Sequence, residues 1–247
     1  MAYLGRYYRT YALDFWGFGE SGKKRETYAV QDFVSLVNQF MEQLGIVNAP
    51  LVGHSMGGTV SLSVAIRYPE RVSKVVVVGS PIVGSSLAPL LKMAGYRPTA
   101  FFLFNMMGPF RAWMKYYYAH VICSDPRFPD MMDRDLSRTT LQSFLLSIAS
   151  LRRTDLRPML DQIKIPAMGM YGDRDKVVHP KQWQPMLKGV PQSHIERFPM
   201  AGHFPMLEEP QLFTERLKNF LDREEAMVQT PKPSTSLSPS PAPSVTL

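Results

Sequence analysis

The amino-acid sequence predicts an α/β fold in which helices flank a mostly parallel sheet. Two observations support this prediction. Apolar, strand-like runs alternate with amphipathic helical segments along most of the chain. The most strand-like run, Lys74–Gly79 (KVVVVG), is an unbroken series of valines, which is typical of a strand covered by helices on both faces. With 247 residues, 45% of them hydrophobic, the chain is long enough to bury a sizeable core.

The first half of the chain alternates in this way. Arg6–Phe15 is rich in aromatic residues and runs into a glycine-punctuated loop, so a strand is expected there. Apolar residues at helical spacing over Tyr28–Leu44 predict an amphipathic helix that ends at Gly45. The short apolar run Ala49–Val52 predicts the next strand, and Thr59–Arg67 is expected to continue as a helix.

The second half of the chain resumes the alternation after a long interruption. Ile165–Tyr171 and Ser193–Phe198 are predicted strands, with a helix between them over Lys181–Leu187 and a final helix over Gln211–Arg223. The core is therefore expected in two parts, residues 1–80 and residues 165–225.

Residues 81–164 interrupt the alternation. This segment is helical in character and rich in large apolar side chains, so it is expected to form an inserted helical subdomain. Residues 226–247 are expected to be a disordered tail, because Thr230–Leu247 holds five prolines and five serines and little that a core could bury.

The charge balance is basic, with 28 Lys and Arg against 21 Asp and Glu, a net charge of +7. Much of the excess lies in residues 81–164, which hold eleven basic and six acidic residues scattered along the segment. This distribution favours a solvated basic face and weighs against nucleic-acid binding. Contact with an anionic substrate or a membrane surface is the alternative.

The single cysteine, Cys123, excludes an internal disulfide and a cysteine-rich zinc site. The N-terminus has no apolar run of signal-peptide length, and no later stretch is apolar for the length of a membrane span. We therefore expect a soluble, cytoplasmic protein.

The pentapeptide Gly53–Gly57 (GHSMG) matches the pattern G-x-S-x-G and lies between a predicted strand and a predicted helix. This is the context of a nucleophile elbow, in which a serine stands on a tight strand-to-helix turn. Gly53 and Gly57 are expected to let the backbone cross closely there. Ser55 is therefore a candidate nucleophile.

A serine hydroxyl needs a base to take its proton, and the base works best when a carboxylate orients it. Asp175 follows one predicted strand and His203 follows the next. Both are expected at the C-terminal edge of the parallel sheet, where the sites of such sheets gather. The chain order of Ser55, Asp175 and His203 is one in which serine triads occur.

Several segments resemble the successive signatures of the α/β-hydrolase superfamily: ALDFWGFGESG, LVGHSMGG, PERVSKVVVVGSP, YGDRDKVV and AGHFPMLEEP. The resemblance covers about residues 7–221 and points to the branch of esterases, lipases, cofactor-free haloperoxidases and carbon–carbon bond hydrolases. It implies that Ser55 is the nucleophile, His203 the general base and Asp175 the orienting acid. It also implies that the backbone N–H of Met56 is one oxyanion donor and that residues 81–164 cap the active site.

Other residues have weaker claims to a role. Asp173 is an alternative acid, although the family's G-x-x-D spacing favours Asp175. His54 is interpreted as a packing residue, because the side chain next to the nucleophile of an elbow points elsewhere. His120, His179 and His194 lack a motif, and no pair of histidines has metal-ligand spacing.

Gly17–Gly22 (GFGESG) also fits the dinucleotide pattern G-x-G-x-x-G. That fingerprint requires the glycines to open a helix, whereas Lys23–Glu26 continues as a polar loop. No cofactor and no metal are therefore expected.

At its start, the chain differs from the members of the family that it resembles. Family members carry further strands and a His-Gly loop upstream, and the backbone of that loop supplies a second oxyanion donor. The chain is therefore expected to be an N-terminally shortened α/β hydrolase in which Met1 is an internal or misassigned start. Loss of one oxyanion donor costs about a hundredfold to a thousandfold in rate.

The expected function is a serine hydrolase that cleaves an ester or related acyl bond of a small hydrophobic substrate. A haloperoxidase or carbon–carbon bond hydrolase with the same three residues is an alternative. A catalytically impaired fragment or binding protein of the same fold is another.

Overall fold

The computed structural model describes residues 3–94 and 121–223 of the chain. Four strands form one sheet, in the order β1 (Ala49–His54), β2 (Val72–Val78), β3 (Ala167–Gly172) and β4 (Ser193–Phe198). Every neighbouring pair of strands is parallel. The C-terminal ends of all four strands therefore meet at the same edge of the sheet.

The helices of the described residues are α1 (Val30–Gln43), α2 (Met56–Arg67), α3 (Pro89–Ala94), α4 (Phe128–Ser137), α5 (Leu141–Arg153), α6 (Trp183–Gly189), α7 (Pro205–Glu208) and α8 (Pro210–Asp222). Short 3-10 helices lie at Leu4–Arg6, Pro69–Arg71, Gly84–Ser86, Arg157–Gln162 and Pro180–Gln182. Helix α1 starts where the Asp32 carboxylate accepts the N–H of Ala29 at 2.7 Å, and the chain leaves it through Gly45 at φ 65°.

The valines of β2 show how the sheet is covered. Val75 and Val77 belong to a core cluster with Phe33 of α1 and Leu62 of α2, while Val76 and Val78 belong to a second cluster with residues of α8. Successive side chains of a strand point to opposite faces, so an unbroken apolar strand contributes to both clusters. The expected parallel sheet with helices on both faces is confirmed.

The strand expected at Arg6–Phe15 is wrong. Residues 7–15 have no regular structure, and their aromatic side chains pack on helices. Tyr11 packs edge-on against Phe40 of α1, and Phe15 stacks on Phe33 with 4.6 Å between the ring centroids. Preference for strands reflects packing on a half-buried surface, and here the helices supply that surface without any backbone pairing.

Several element boundaries differ slightly from the expected ones. Strand β1 extends through His54, and α2 starts at Met56 instead of Thr59, because the intervening turn is a single residue long. The helix expected over Lys181–Leu187 is a 3-10 turn over Pro180–Gln182 followed by α6.

The described part of residues 81–164 is helical, as α3, α4 and α5 show. Ile148 and Leu151 of α5 lie in the same core cluster as Phe33, so this part of the segment packs directly on the sheet-bearing core. Most of its aromatic and methionine side chains, at residues 95–120, lie outside the described residues, as does the expected tail at 226–247. No helix within the described ranges has the length and apolarity needed to cross a membrane.

Candidate active site

Ser55 forms the turn between β1 and α2. Its backbone has φ 52° and ψ −122°, and it is the only residue other than glycine with positive φ in the described part of the chain. Such a conformation costs on the order of 1 to 3 kcal/mol and persists only where the surroundings enforce it. One restraint is the N–H of Ser55, which donates to the carbonyl oxygen of Val78 at 2.8 Å.

The glycines around Ser55 make this turn sterically possible. A Cβ atom on Gly53 would lie 2.3 Å from the carbonyl carbon of Gly57, and one on Gly58 would lie 1.9 Å from the Oγ of Ser80. A Cβ atom on Gly57 would meet nothing within 4 Å. Glycine is therefore required at position 53, as expected. The expectation is wrong for position 57, and the second position that requires glycine is 58.

Asp175 lies in the loop that follows β3. Its Oδ1 accepts the backbone N–H groups of Val177 and Val178 at 2.8 and 2.9 Å. Its Oδ2 lies 2.7 Å from the Nδ1 of His203. The alternative acid, Asp173, is instead paired with the guanidinium of Arg197 through two hydrogen bonds of 2.9 and 2.8 Å. The structure thus brings Asp175 against His203 and turns Asp173 to the surface.

His203 lies in the loop that follows β4. The side chains of His203 and Asp175 are only 3% and 2% exposed. A hydrogen bond to an ionised carboxylate is strong in such surroundings, because water does not compete for it. The Nδ1–H of a neutral His203 donates to this carboxylate, which leaves Nε2 as an acceptor. The imidazole is therefore held in the tautomer that accepts a proton at Nε2.

The loops that carry Ser55 and His203 contact each other through His54. The Nε2–H of His54 donates to the carbonyl oxygen of His203 at 2.8 Å, and the two ring centroids are 4.6 Å apart. Ser55, Asp175 and His203 therefore lie on loops at the same C-terminal edge of the sheet, after β1, β3 and β4.

His54 is more than the packing residue expected from the sequence. Its half-buried ring packs against both His203 and Phe204, and the ring centroid of Phe204 is 4.7 Å away. Burial, and then the neighbouring His203, lower the pKa of His54 to about 3. The ring is therefore neutral at pH 7. The partner carbonyl is 149 residues away along the chain, so no local sequence signal indicated this contact.

Met56 is the first residue of α2. The first N–H groups of a helix have no acceptor within the helix and carry its partial positive charge. This position suits the donor role that the resemblance implies.

Within residues 3–94 and 121–223, no group of three or more His, Cys, Asp or Glu side chains has the arrangement of a metal site.

A cavity of about 680 Å³ lies next to the Asp175 loop. Its lining includes Lys92, Lys176 and Lys181 but neither Ser55 nor His203.

Comparison with known proteins agrees with this architecture. The family described as the alpha/beta hydrolase fold matches residues 1–210. The chain therefore belongs to the α/β-hydrolase fold family. It is 28% identical over 229 residues to a 2-hydroxy-6-oxononadienedioate/2-hydroxy-6-oxononatrienedioate hydrolase from a Pseudomonas species, a match that covers 90% of this chain and 80% of the relative.

Solved structures show the same fold. An esterase from Exiguobacterium antarcticum matches with a TM-score of 0.72 and 23% identity, over 85% of this chain and 80% of the esterase. A bromoperoxidase from Bacillus anthracis matches with a TM-score of 0.69 and 23% identity, over 85% and 80% of the two chains.

Proposed function

We propose that this protein is a serine hydrolase that cleaves an ester or related acyl bond through an acyl-enzyme on Ser55. The observation that supports the proposal most strongly is the buried 2.7 Å hydrogen bond between Asp175 and His203. It lies at the same edge of the sheet as the strained Ser55 turn. Nucleophilic catalysis by serine requires an imidazole that is held in a fixed tautomer and can reach the hydroxyl.

In the proposed reaction, the Nε2 of His203 takes the proton of the Ser55 hydroxyl as Oγ attacks the substrate carbonyl carbon. The charge that develops on the carbonyl oxygen is stabilised by the backbone N–H of Met56. The carboxylate of Asp175 stabilises the imidazolium, which then protonates the leaving alcohol. His203 next takes a proton from a water molecule as the water oxygen attacks the acyl carbon. The imidazolium then returns this proton to the Oγ of Ser55 as the acyl–Oγ bond breaks and the acid leaves.

The proposed substrate is a small hydrophobic molecule covered by residues 81–164, because the apolar composition of this segment suits such a ligand. These steps need no metal and no organic cofactor. We also propose a cytoplasmic location, since a lone cysteine favours a reducing compartment.

A second candidate is the hydrolysis of a carbon–carbon bond by the same three residues. The Pseudomonas relative favours it, because it is named a 2-hydroxy-6-oxononadienedioate/2-hydroxy-6-oxononatrienedioate hydrolase and the match covers 90% of this chain. The bromoperoxidase match is below 25% identity and supports the fold only.

The experiment that tests the proposal is covalent labelling with a fluorophosphonate probe. The wild-type protein and a Ser85→Ala variant, which changes an exposed serine, should be labelled equally, and Ser55→Ala should not be labelled. Equal labelling of Ser55→Ala would contradict the assignment. A wild-type protein that unfolds cooperatively but is not labelled would indicate a binding protein of the same fold. Activity assays with a panel of acyl esters and with 2-hydroxy-6-oxononadienedioate then separate the two candidate reactions.

A further inference from the structure

Glu208, the last residue of α7, joins the His203 loop to the segment 121–125, which lies within the proposed cap. Its Oε2 accepts the backbone N–H of Gly202 at 2.7 Å. Its Oε1 accepts both the backbone N–H and the hydroxyl of Ser124, each at 3.0 Å. Both carboxylate oxygens of Glu208 therefore accept hydrogen bonds, one from the His203 loop and the other from the segment 121–125. Ser124 is 84 residues away along the chain.

The segment around Ser124 also packs closely on the same loop. A Cβ atom on Gly202 would lie 3.0 Å from the carbonyl oxygen of Ile122, so the two backbones are nearly in contact there. A buried cluster is formed by Ile122, Cys123 and Phe128. Side chains near Asp175 and His203 pack against it: Val177, Phe204 and Leu207. The segment therefore contacts both Gly202 and Phe204, the residues on either side of His203.

The backbone around His203 is restrained on both sides. The carbonyl oxygen of His203 accepts the Nε2–H of His54, and the N–H of the preceding residue, Gly202, is held by Glu208. Of these two restraints, the bond to Glu208 is assisted by a full charge and is the stronger kind. It holds the Ala201–Gly202 peptide, one residue before the peptide that enters His203, and thereby restrains the backbone that carries the imidazole.

We propose that Glu208 is a positioning residue that aligns the His203 imidazole and couples this alignment to the position of residues 121–125. The inference rests on the proposed function, because it assigns His203 as the base. Glu208 acts through Gly202 and the loop backbone, and it touches no reacting atom.

The chemistry of the contact requires a carboxylate. Glu208 accepts three hydrogens from two directions, whereas a glutamine side chain has one accepting oxygen and one donating NH2 group. In either orientation of Glu208→Gln, an NH2 group would face an N–H donor. This substitution keeps the size of the side chain but removes the hydrogen bonds either to Gly202 or to Ser124. Glu215→Gln on α8, where the glutamate is exposed, is the matched control.

The first readout is the second-order rate of fluorophosphonate labelling. Removing one partner of a charged hydrogen bond is expected to lower this rate roughly tenfold to a hundredfold in Glu208→Gln. Glu215→Gln should label at the wild-type rate within about twofold. Ser124→Ala keeps the backbone donor and loses only the hydroxyl, so a decrease of about twofold to tenfold is expected.

The second readout is the far-downfield proton NMR resonance of the His203 Nδ1–H, assigned by its loss in Asp175→Ala. Misalignment of the imidazole should shift or broaden this resonance in Glu208→Gln and in Ser124→Ala, at temperatures below the unfolding transition. A purely structural role would lower the melting temperature without moving the resonance of the folded protein. Ser124→Ala serves as the deciding variant where Glu208→Gln does not fold.

Wild-type labelling rates and an unshifted resonance in both variants would overturn the inference. Slower labelling with an unshifted resonance would also overturn the inference, because Glu208 would then affect how the probe reaches Ser55 and not the alignment of His203. Failure of the proposed function looks different, since the wild-type protein itself would not be labelled.

Discussion

The contact between the rings of His54 and His203 predicts an acid-sensitive contribution to stability. The pKa of His54 is lowered from 6.5 to about 3 in the folded protein, first by burial and then by His203. An unfolded chain binds a proton at this residue as the pH falls below 6.5, while the folded chain does not. The contribution is therefore fully present above pH 6.5 and is lost progressively as the pH falls from 6.5 toward 3.

The size of this contribution follows from the two pKa values. Between pH 6.5 and about pH 5, a shift of this size removes about 2 kcal/mol from the free energy of unfolding. Part of the His54 surface remains in contact with solvent, which screens the charge, so we expect a loss of about 1 to 2 kcal/mol. The variant His54→Gln keeps an amide donor for the His203 carbonyl but has no group that titrates in this range.

The assay is urea unfolding followed by circular dichroism between about pH 7.5 and pH 5 at constant ionic strength. The wild-type protein should lose about 1 to 2 kcal/mol more than His54→Gln over this range. His179→Gln makes the same chemical change at an exposed histidine and should follow the wild type. Parallel pH dependences of wild type and His54→Gln would refute the reasoning, because His54 would then be equally protonated in the folded and unfolded chains.

Three further predictions test the site geometry. Asp175→Asn should lower the rate of fluorophosphonate labelling by about a thousandfold to ten-thousandfold, whereas Asp173→Asn, at the surface pair with Arg197, should leave it nearly unchanged. Gly53→Ala should lower the melting temperature sharply, because its Cβ would overlap the Gly57 backbone, while Gly57→Ala should raise stability by about 0.5 to 1 kcal/mol. Burial raises the pKa of the Cys123 thiol to about 11, so a disulfide reagent at pH 8 should modify the urea-unfolded protein and leave the folded one unmodified.

Local patterns were sufficient for much of the fold. The valines of β2 indicated a strand buried on both faces, and the spacing over α1 indicated an amphipathic helix ending at Gly45. Both inferences depend only on how apolar side chains are spaced along a single strand or helix. The Arg6–Phe15 strand failed because its aromatic residues suit a helix-packing surface as well as a sheet, and only the assembled core decides between them.

The sequence by itself determined which chemical groups stand at the ends of strands: a serine in a glycine-flanked turn, and a carboxylate and an imidazole on later loops. The family's spacing favoured Asp175 over Asp173 as the acid, and the tertiary structure decided that Asp175 is the one that contacts His203. It also decided that His54 and Glu208 restrain the same loop. Turn and periodicity signals act over a few residues, whereas these contacts join groups up to 149 residues apart and exist only once the parallel sheet has brought its strand ends together.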